Sequence, residues 1–289
     1  MDRTNGSLSA DTSYQSVSAL DRIRGTYEKE TVQVYGEMLS DHVFGQGAIE
    51  SLLDVPQAVT LPNEMFARLR EWISSEQSEI LWVAGPNDHC YPSKMSAIAA
   101  TMVKLFAEAK PMVVFHFCDL PSPRTIQAGQ SVEEIGLISM VYSMIQQLIG
   151  HIPPQFDSSN DFGLNRFTPL DGNISTLDGA LELFRDLITL CLPYIVFIVD
   201  GIERLDYHKG QQGCKEFVNT LRQLNTMEPR NDEPQCIYKV LFTTAGKPGA
   251  LMQSLECREI LLQDERRGSL NIDRVELGTA AFSELGNSC

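Results

Sequence analysis

The sequence predicts a doubly wound α/β domain, built on a mostly parallel five-stranded sheet and preceded by a helical extension. Three observations point there. Five apolar runs, at 80–84, 112–118, 194–200, 239–244 and 259–262, alternate with stretches of helical periodicity, and such alternation produces a wound parallel sheet. The runs are nearly continuous rather than alternating in polarity, as in strands covered by helices on both faces. The first run leads into a turn-rich loop and a helix, and the third ends in Asp200-Gly201. Polar residues therefore fall at the carboxyl ends of strands, where open α/β sheets bind ligands.

Taken in order, residues 1–18 are rich in Ser, Thr, Asn and Asp without periodicity and are expected to form a flexible tail. Across 17–44 the spacing of Leu20, Ile23, Tyr27, Val34 and Met38 predicts one or two helices. Together with a connector at 45–62 they make an N-terminal extension over 19–61. Pro62 opens a helix with an apolar stripe of Met65, Phe66, Leu69, Trp72 and Ile73. Proline suits a first turn because its missing N–H would have been unpaired there anyway. The α/β domain spans 62–263, with further helices at 93–109, 132–149, 176–191, 215–227 and 248–255. Residues 153–173 read as a long polar loop pinned to the surface by Phe156, Phe162 and Phe167. Residues 264–289 turn polar and read as a tail with at most one brief helix.

The chain has 289 residues, 43% hydrophobic and 21% charged, ordinary values for a globular protein. A net charge of -15 argues against a nucleic-acid surface, because phosphate contacts need clustered Lys and Arg. It disfavours an anionic membrane surface for the same reason. Seven cysteines show no CxxC pairing and are expected as thiols in a reducing compartment. The N-terminus lacks a signal-peptide core, and no run approaches the roughly 18 apolar residues of a spanning helix. The expected location is cytoplasmic. His89 and Cys90 have no companion pair at metal-ligand spacing, and His116 with Cys118 reads as core rather than as a nucleophile pair.

Residues 79–100, EILWVAGPNDHCYPSKMSAIAA, carry the chemistry that can be tested. A phosphate loop is a strand, GxxxxGK[ST] and a helix; its amides form an anion nest, the Lys reaches the terminal phosphates and the hydroxyl holds Mg²⁺. Gly85 follows the strand and Lys94 opens the helix, but the loop is three residues longer. Ser93 stands at the second Gly and Met95 at the hydroxyl position, while Pro86 and Pro92 have no N–H to donate. Ser96 offers a hydroxyl one position late, rotated about 100° around the helix. Losing two donors and the hydroxyl would cost about three decades of affinity, at roughly 1.4 kcal/mol each. The ordinary alternative is that Ser93 caps the helix and Lys94 is a solvated surface residue.

The second piece is YIVFIVDGIERLD at 194–206, six apolar residues followed by Asp200. An Asp there can hold Mg²⁺ through water, and a later acid can position an attacking water; Glu203 and Asp206 are the nearby acids. A simple Asp-Gly turn is the competing reading. The third piece, KVLFTTAGKPGAL at 239–251, ends a strand in Thr243-Thr244, placed to lie between the two earlier strand ends and sense a γ-phosphate.

In this order the pieces resemble the NACHT-like branch of the STAND P-loop NTPases, particularly its fungal members. EWISSEQSEILWVAG resembles that family's approach to the phosphate loop, FHFCDLPSPR its second strand, and SVEEIGLISMVYSMIQQLIGHIP its long helix. YIVFIVDGIERLD resembles its Walker B segment and KVLFTTAGKPGAL its sensor strand. The resemblance spans about 66–262. It implies a P-loop NTPase fold, ATP or GTP with Mg²⁺ as ligand, and partner proteins reached through signalling assemblies and oligomerisation. It assigns Gly85, Ser93, Lys94, Ser96, Thr243 and Thr244 to nucleotide, Ser96 and Asp200 to Mg²⁺, and Glu203 as the catalytic candidate. Arg204 stands where the family has the water-polarising acid, so a degenerate nucleotide-binding or regulatory signalling module with little or no NTP hydrolysis is expected. An active ATPase or GTPase with an atypical loop and a nucleotide-free interaction scaffold are the alternatives.

Overall fold

The computed structural model of the chain describes residues 25–44, 53, 59–87, 92–109, 111–122, 129–191, 193–225, 236–256, 260–262 and 269–272. Expectations for 1–24, 45–52, 54–58, 88–91 (His89 and Cys90 included), 226–227, 259, 263–268 and 273–289 lie outside these residues. In chain order the elements begin with β1 (Gly25–Glu28), α1 (Lys29–Glu37), β2 (Val59–Pro62), α2 (Asn63–Ser74), β3 (Glu79–Gly85), α3 (Lys94–Ala109) and β4 (Met112–Phe117). They continue with α4 (Val132–His151), β5 (Gln155–Ser158), α5 (Leu164–Phe167), α6 (Leu177–Ile188) and β6 (Tyr194–Asp200). The last are α7 (Gly210–Asn225), β7 (Ile237–Ala245), α8 (Gly249–Ser254), β8 (Ile260–Leu262) and β9 (Ser269–Ile272).

The central sheet runs β4-β6-β7-β3-β8, and each neighbouring pair is parallel. Strands this apolar are buried on both faces, and alternation along them divides the core in two. Trp82, Val114, Phe197 and Phe242 join the core shared with α4, α6 and α7. Leu81, Val83, Ile198 and Leu241 join the core beneath α2 and α3. The α2 stripe of Met65, Leu69, Trp72 and Ile73 is buried as its spacing predicts. Helix α4 starts at a capping box, Ser131 with Glu134, which satisfies two otherwise orphaned amides. A parallel sheet wound between helices is the layout of a P-loop-like fold. Among the described residues no helix is long and apolar enough to cross a membrane.

Four regions depart from expectation. Residues 25–28 form a strand, not the helix read across 17–44, because β1 pairs antiparallel with β5. Tyr27 stacks on Phe156 and meets Phe162 edge-on, both at 5.6 Å between ring centres. The 153–173 segment is therefore not a surface loop: Phe156, Phe162 and Phe167 belong to the core. Helix α7 begins at Gly210, five residues before its expected start. A Cβ on Gly210 would strike the Leu205 carbonyl, and one on Gly213 would strike Leu137. The two glycines that argue locally against a helix are what lets it sit close to α4. Within the expected C-terminal tail, β9 pairs antiparallel with β2.

Strand β4 lies at a sheet edge, where unpaired backbone groups invite another chain. Gln147 of α4 closes it: its Oε1 accepts from Phe115 N–H at 3.0 Å and its Nε2 donates to Phe115 C=O at 2.8 Å. The Gln147→Ala variant is expected to lose roughly 1–3 kcal/mol, the cost of leaving those groups unsatisfied. Urea denaturation measures the loss, and light scattering should show self-association rising with it.

Candidate functional site

The carboxyl rim is set by strand register. Asp200 ends β6 opposite Thr243 of β7, and Gly85 ends β3 opposite Ala245. Strand β7 thus separates β3 from β6, so the Lys94 and Asp200 units are not adjacent, and Thr243 lies between them as its motif predicts. Asp200 is 1% exposed and accepts two hydroxyls, Ser96 Oγ on Oδ2 and Thr243 Oγ1 on Oδ1, each at 2.6 Å. Burial pushes its carboxyl up to about 7; the two hydroxyls and Arg204 oppose that rise, while the Glu203 charge adds to it.

Ser93 and Ser96 begin α3 as a reciprocal cap. Ser93 Oγ accepts from Ser96 N–H at 3.2 Å, and Ser96 Oγ accepts from Ser93 N–H at 3.0 Å. This is a capping box with serine in place of glutamate at its third position. Ser96 therefore points at the acidic strand end, despite standing one place late in the motif.

That register moves the residues before it. A P-loop carries its lysine immediately before the hydroxyl, and Met95 immediately precedes Ser96. Met95 is 3% exposed and lies over the first glycine: a Cβ on Gly85 would come within 2.7 Å of Met95 Cγ and 2.8 Å of its Sδ. Lys94 is exposed. The structure thus puts a thioether in the seat the phosphate-binding lysine would take, and turns Lys94 outward. Met95, Ile98, Ala99 and Met102 are buried together, at the i, i+3, i+4, i+7 spacing of one helix face. This stripe was the available sequence signal that Met95 faces in; the GK-like pairing of Ser93 and Lys94 obscured it.

The other assigned residues divide. Thr244 does not join the rim; Trp82 Nε1 donates to its hydroxyl at 2.8 Å, and the hydroxyl donates to Gly246 C=O at 2.8 Å. Successive strand residues point to opposite faces, so Thr243 and Thr244 cannot both face Asp200. Glu203 follows Gly201, whose φ of 77° is a left-handed conformation glycine adopts without strain. Its Oε1 accepts from Ala245 N–H at 3.0 Å, while Oε2 is buried without a partner among the described residues. Burial raises its pKa, with the Ala245 amide opposing. Arg204 pairs with Asp119 at 3.1 Å, joining the ends of β6 and β4, a bridge the motifs did not signal. Asp206 Oδ2 accepts Ala250 N–H at 2.8 Å, anchoring α8.

His116 is buried, which lowers its pKa to about 4, and the thiol of Cys118 contacts Met140 Sδ at 3.7 Å. Among the described residues no group of three or more His, Cys, Asp or Glu side chains is placed to hold a metal. Tested against Mg²⁺-nucleotide, the rim is divided. Ser96 and Asp200, with Thr243 beside them, are hard oxygen donors suited to a hydrated Mg²⁺. The phosphate seat does not fit, because Met95 fills it and brings no charge.

No known protein family matches the sequence, and no curated protein is significantly similar to it. Among solved structures, Drosophila ORC bound to GC-rich DNA and Cdc6 aligns at 11% identity with a TM-score of 0.33, covering 91% of this chain and 36% of that one. Drosophila ORC bound to AT-rich DNA and Cdc6 aligns at 11% with a TM-score of 0.31 and the same coverage. This chain therefore spans little more than a third of the length of those chains. Likeness at this level concerns chain layout alone and says nothing of what this chain binds.

Proposed function

We propose that the chain is a degenerate P-loop module of the NACHT-like STAND type that works by binding and regulating other proteins, copies of itself included, without hydrolysing nucleotide. The observation that carries this reading is Met95 packed on Gly85, with Lys94 directed away. A γ-phosphate brought to this rim would meet an apolar side chain, and Arg204, tied to Asp119, stands where an acid would be needed to polarise water. Nucleic acid and membrane are not among its partners on this reading, given its net charge of -15; its place is the cytoplasm.

A second reading is favoured by one feature, the hydroxyl–carboxylate cluster of Ser96, Asp200 and Thr243. On that reading ATP or GTP binds with Mg²⁺ at Ser96 and Asp200, Lys94 meets the phosphates, and Glu203 serves as the base. Thermal unfolding with millimolar Mg²⁺-ATP or Mg²⁺-GTP, together with phosphate release, separates the two. The expected result is no shift and no release above buffer. A micromolar site saturated about 100-fold would instead stabilise by roughly 2.7 kcal/mol. That stabilisation, with phosphate release lost in Lys94→Ala, would overturn the proposal.

A further inference from the structure

We propose that Cys191 and Cys236 form a modification site, a disulfide made on exposure to a peroxide, at the amino rim of the sheet opposite Asp200. The inference does not depend on the nucleotide question. Both residues are present as thiols and are half-buried, whereas Cys118 and Cys214 are fully buried. Strands β6 and β7 are parallel neighbours in which Tyr194 pairs with Ile237, and Ile237 N–H donates to Pro193 C=O at 2.6 Å. Cys236 immediately precedes Ile237, and Cys191 lies two residues before Pro193, so both enter the sheet at one rim.

They also share a face. Cys236 and Tyr238 are two apart on one extended segment, so their side chains project alike. Both cysteines pack against the core formed with α4 and α6. The Cys191 thiol donates to Leu187 C=O at 3.2 Å, and Leu148 C=O lies 3.9 Å from it, which puts its sulfur on that face too. Burial raises the pKa of both Cys191 and Tyr238, and the Cys236 sulfur lies close enough to add to each rise. The three groups form one cluster.

Burial pushes the Cys191 thiol up to about 12, opposed by the Lys29 ammonium nearby, which disfavours Cys191 as the thiolate that meets peroxide first. The Cys236 thiolate attacks one peroxide oxygen; an S–O bond forms, the O–O bond breaks and hydroxide leaves to be protonated. Cys191 sulfur then attacks the sulfenic sulfur; the S–S bond forms, the S–O bond breaks, and the hydroxyl leaves with the thiol proton as water. Two thiols are oxidised and one peroxide is reduced to two waters. The cross-link would enclose β6, Asp200, Glu203 and α7 in one covalent loop, restricting the unfolded chain.

The test is hydrogen peroxide treatment of the full native chain, alkylation of remaining thiols under denaturing conditions, and non-reducing peptide mass mapping. The expected product is a Cys191–Cys236 linked peptide, lighter by two hydrogens and released by dithiothreitol. Linked protein should also show a higher Tm that falls back on reduction. Cys191→Ser and Cys236→Ser should each abolish the link, and Cys191→Ser should leave Cys236 trapped as a sulfenic acid detectable with dimedone. Recovery of both thiols alkylated, linkage of either to another cysteine, or over-oxidation of Cys236 in the wild type without a link would each overturn the proposal. The wild-type map alone decides it, even if a serine variant folds poorly.

Discussion

Met95→Lys is expected to raise the protein's affinity for Mg²⁺-ATP, while Lys94→Ala leaves binding as it was. A lysine stem can follow the path of the methionine over Gly85 and carry its ammonium beyond the strand end into the loop, since long cationic side chains bury their methylenes and extend their heads. A charge-assisted contact with phosphate contributes roughly 1.5–3 kcal/mol, one to two decades in Kd. A thermal shift at millimolar Mg²⁺-ATP reads this directly, with Met95→Leu as a control that preserves packing and adds no charge. If a folded Met95→Lys protein shows no shift, or if the wild type binds and loses binding in Lys94→Ala, then Met95 does not hold the lysine seat.

The second large effect is on stability against pH. The Asp200 carboxyl, ordinarily near 3.8, is raised to about 7 in the fold because burial disfavours its charge. Between those values the folded protein holds a proton that the unfolded chain releases. Stability therefore falls as pH rises from about 4 to about 7, and the loss is complete above the folded value. A shift of this size corresponds to at most ~4 kcal/mol. Asp200→Asn, which keeps the shape without a charge but needs one of the two hydroxyls to turn from donor to acceptor, is expected to flatten most of that slope. A smaller slope of the same sign should persist, because burial also raises Glu203 and Asp206. Asp200→Ala is expected to be destabilised at every pH, leaving the Ser96 and Thr243 hydroxyls without their acceptor at roughly 1–3 kcal/mol each. Urea unfolding of the three proteins from pH 4 to 8 checks all of this; an unchanged slope in Asp200→Asn would show that the carboxyl is not the source.

The core strands were legible because each is an apolar run that is buried whatever its neighbours are. Tyr194–Asp200 and Met112–Phe117 end within a residue of where composition placed them. What was not legible depends on partners distant in sequence. Strand β1 exists because Gln155–Ser158 lies alongside it, and nothing within residues 25–28 announces that. The place of β7 between β3 and β6 was legible only through the motif that set Thr243 between the two earlier strand ends. At the site, Asp200, Ser96 and Thr243 were named from sequence and meet. Lys94 was named and does not join them, because matching a motif by spacing follows letters, whereas the helix follows its buried stripe.

Ser96 does two structural jobs at once. Its oxygen accepts from the first amide of its own cap while its proton goes to Asp200, so one atom both terminates a helix and ties that helix to the middle of the sheet. Folding alone calls for a small alcohol here, whether or not a ligand binds. A hydroxyl at this point is thus a foldability constraint in its own right, and the side chain before it, Met95, is the better guide to whether phosphate has a place to land.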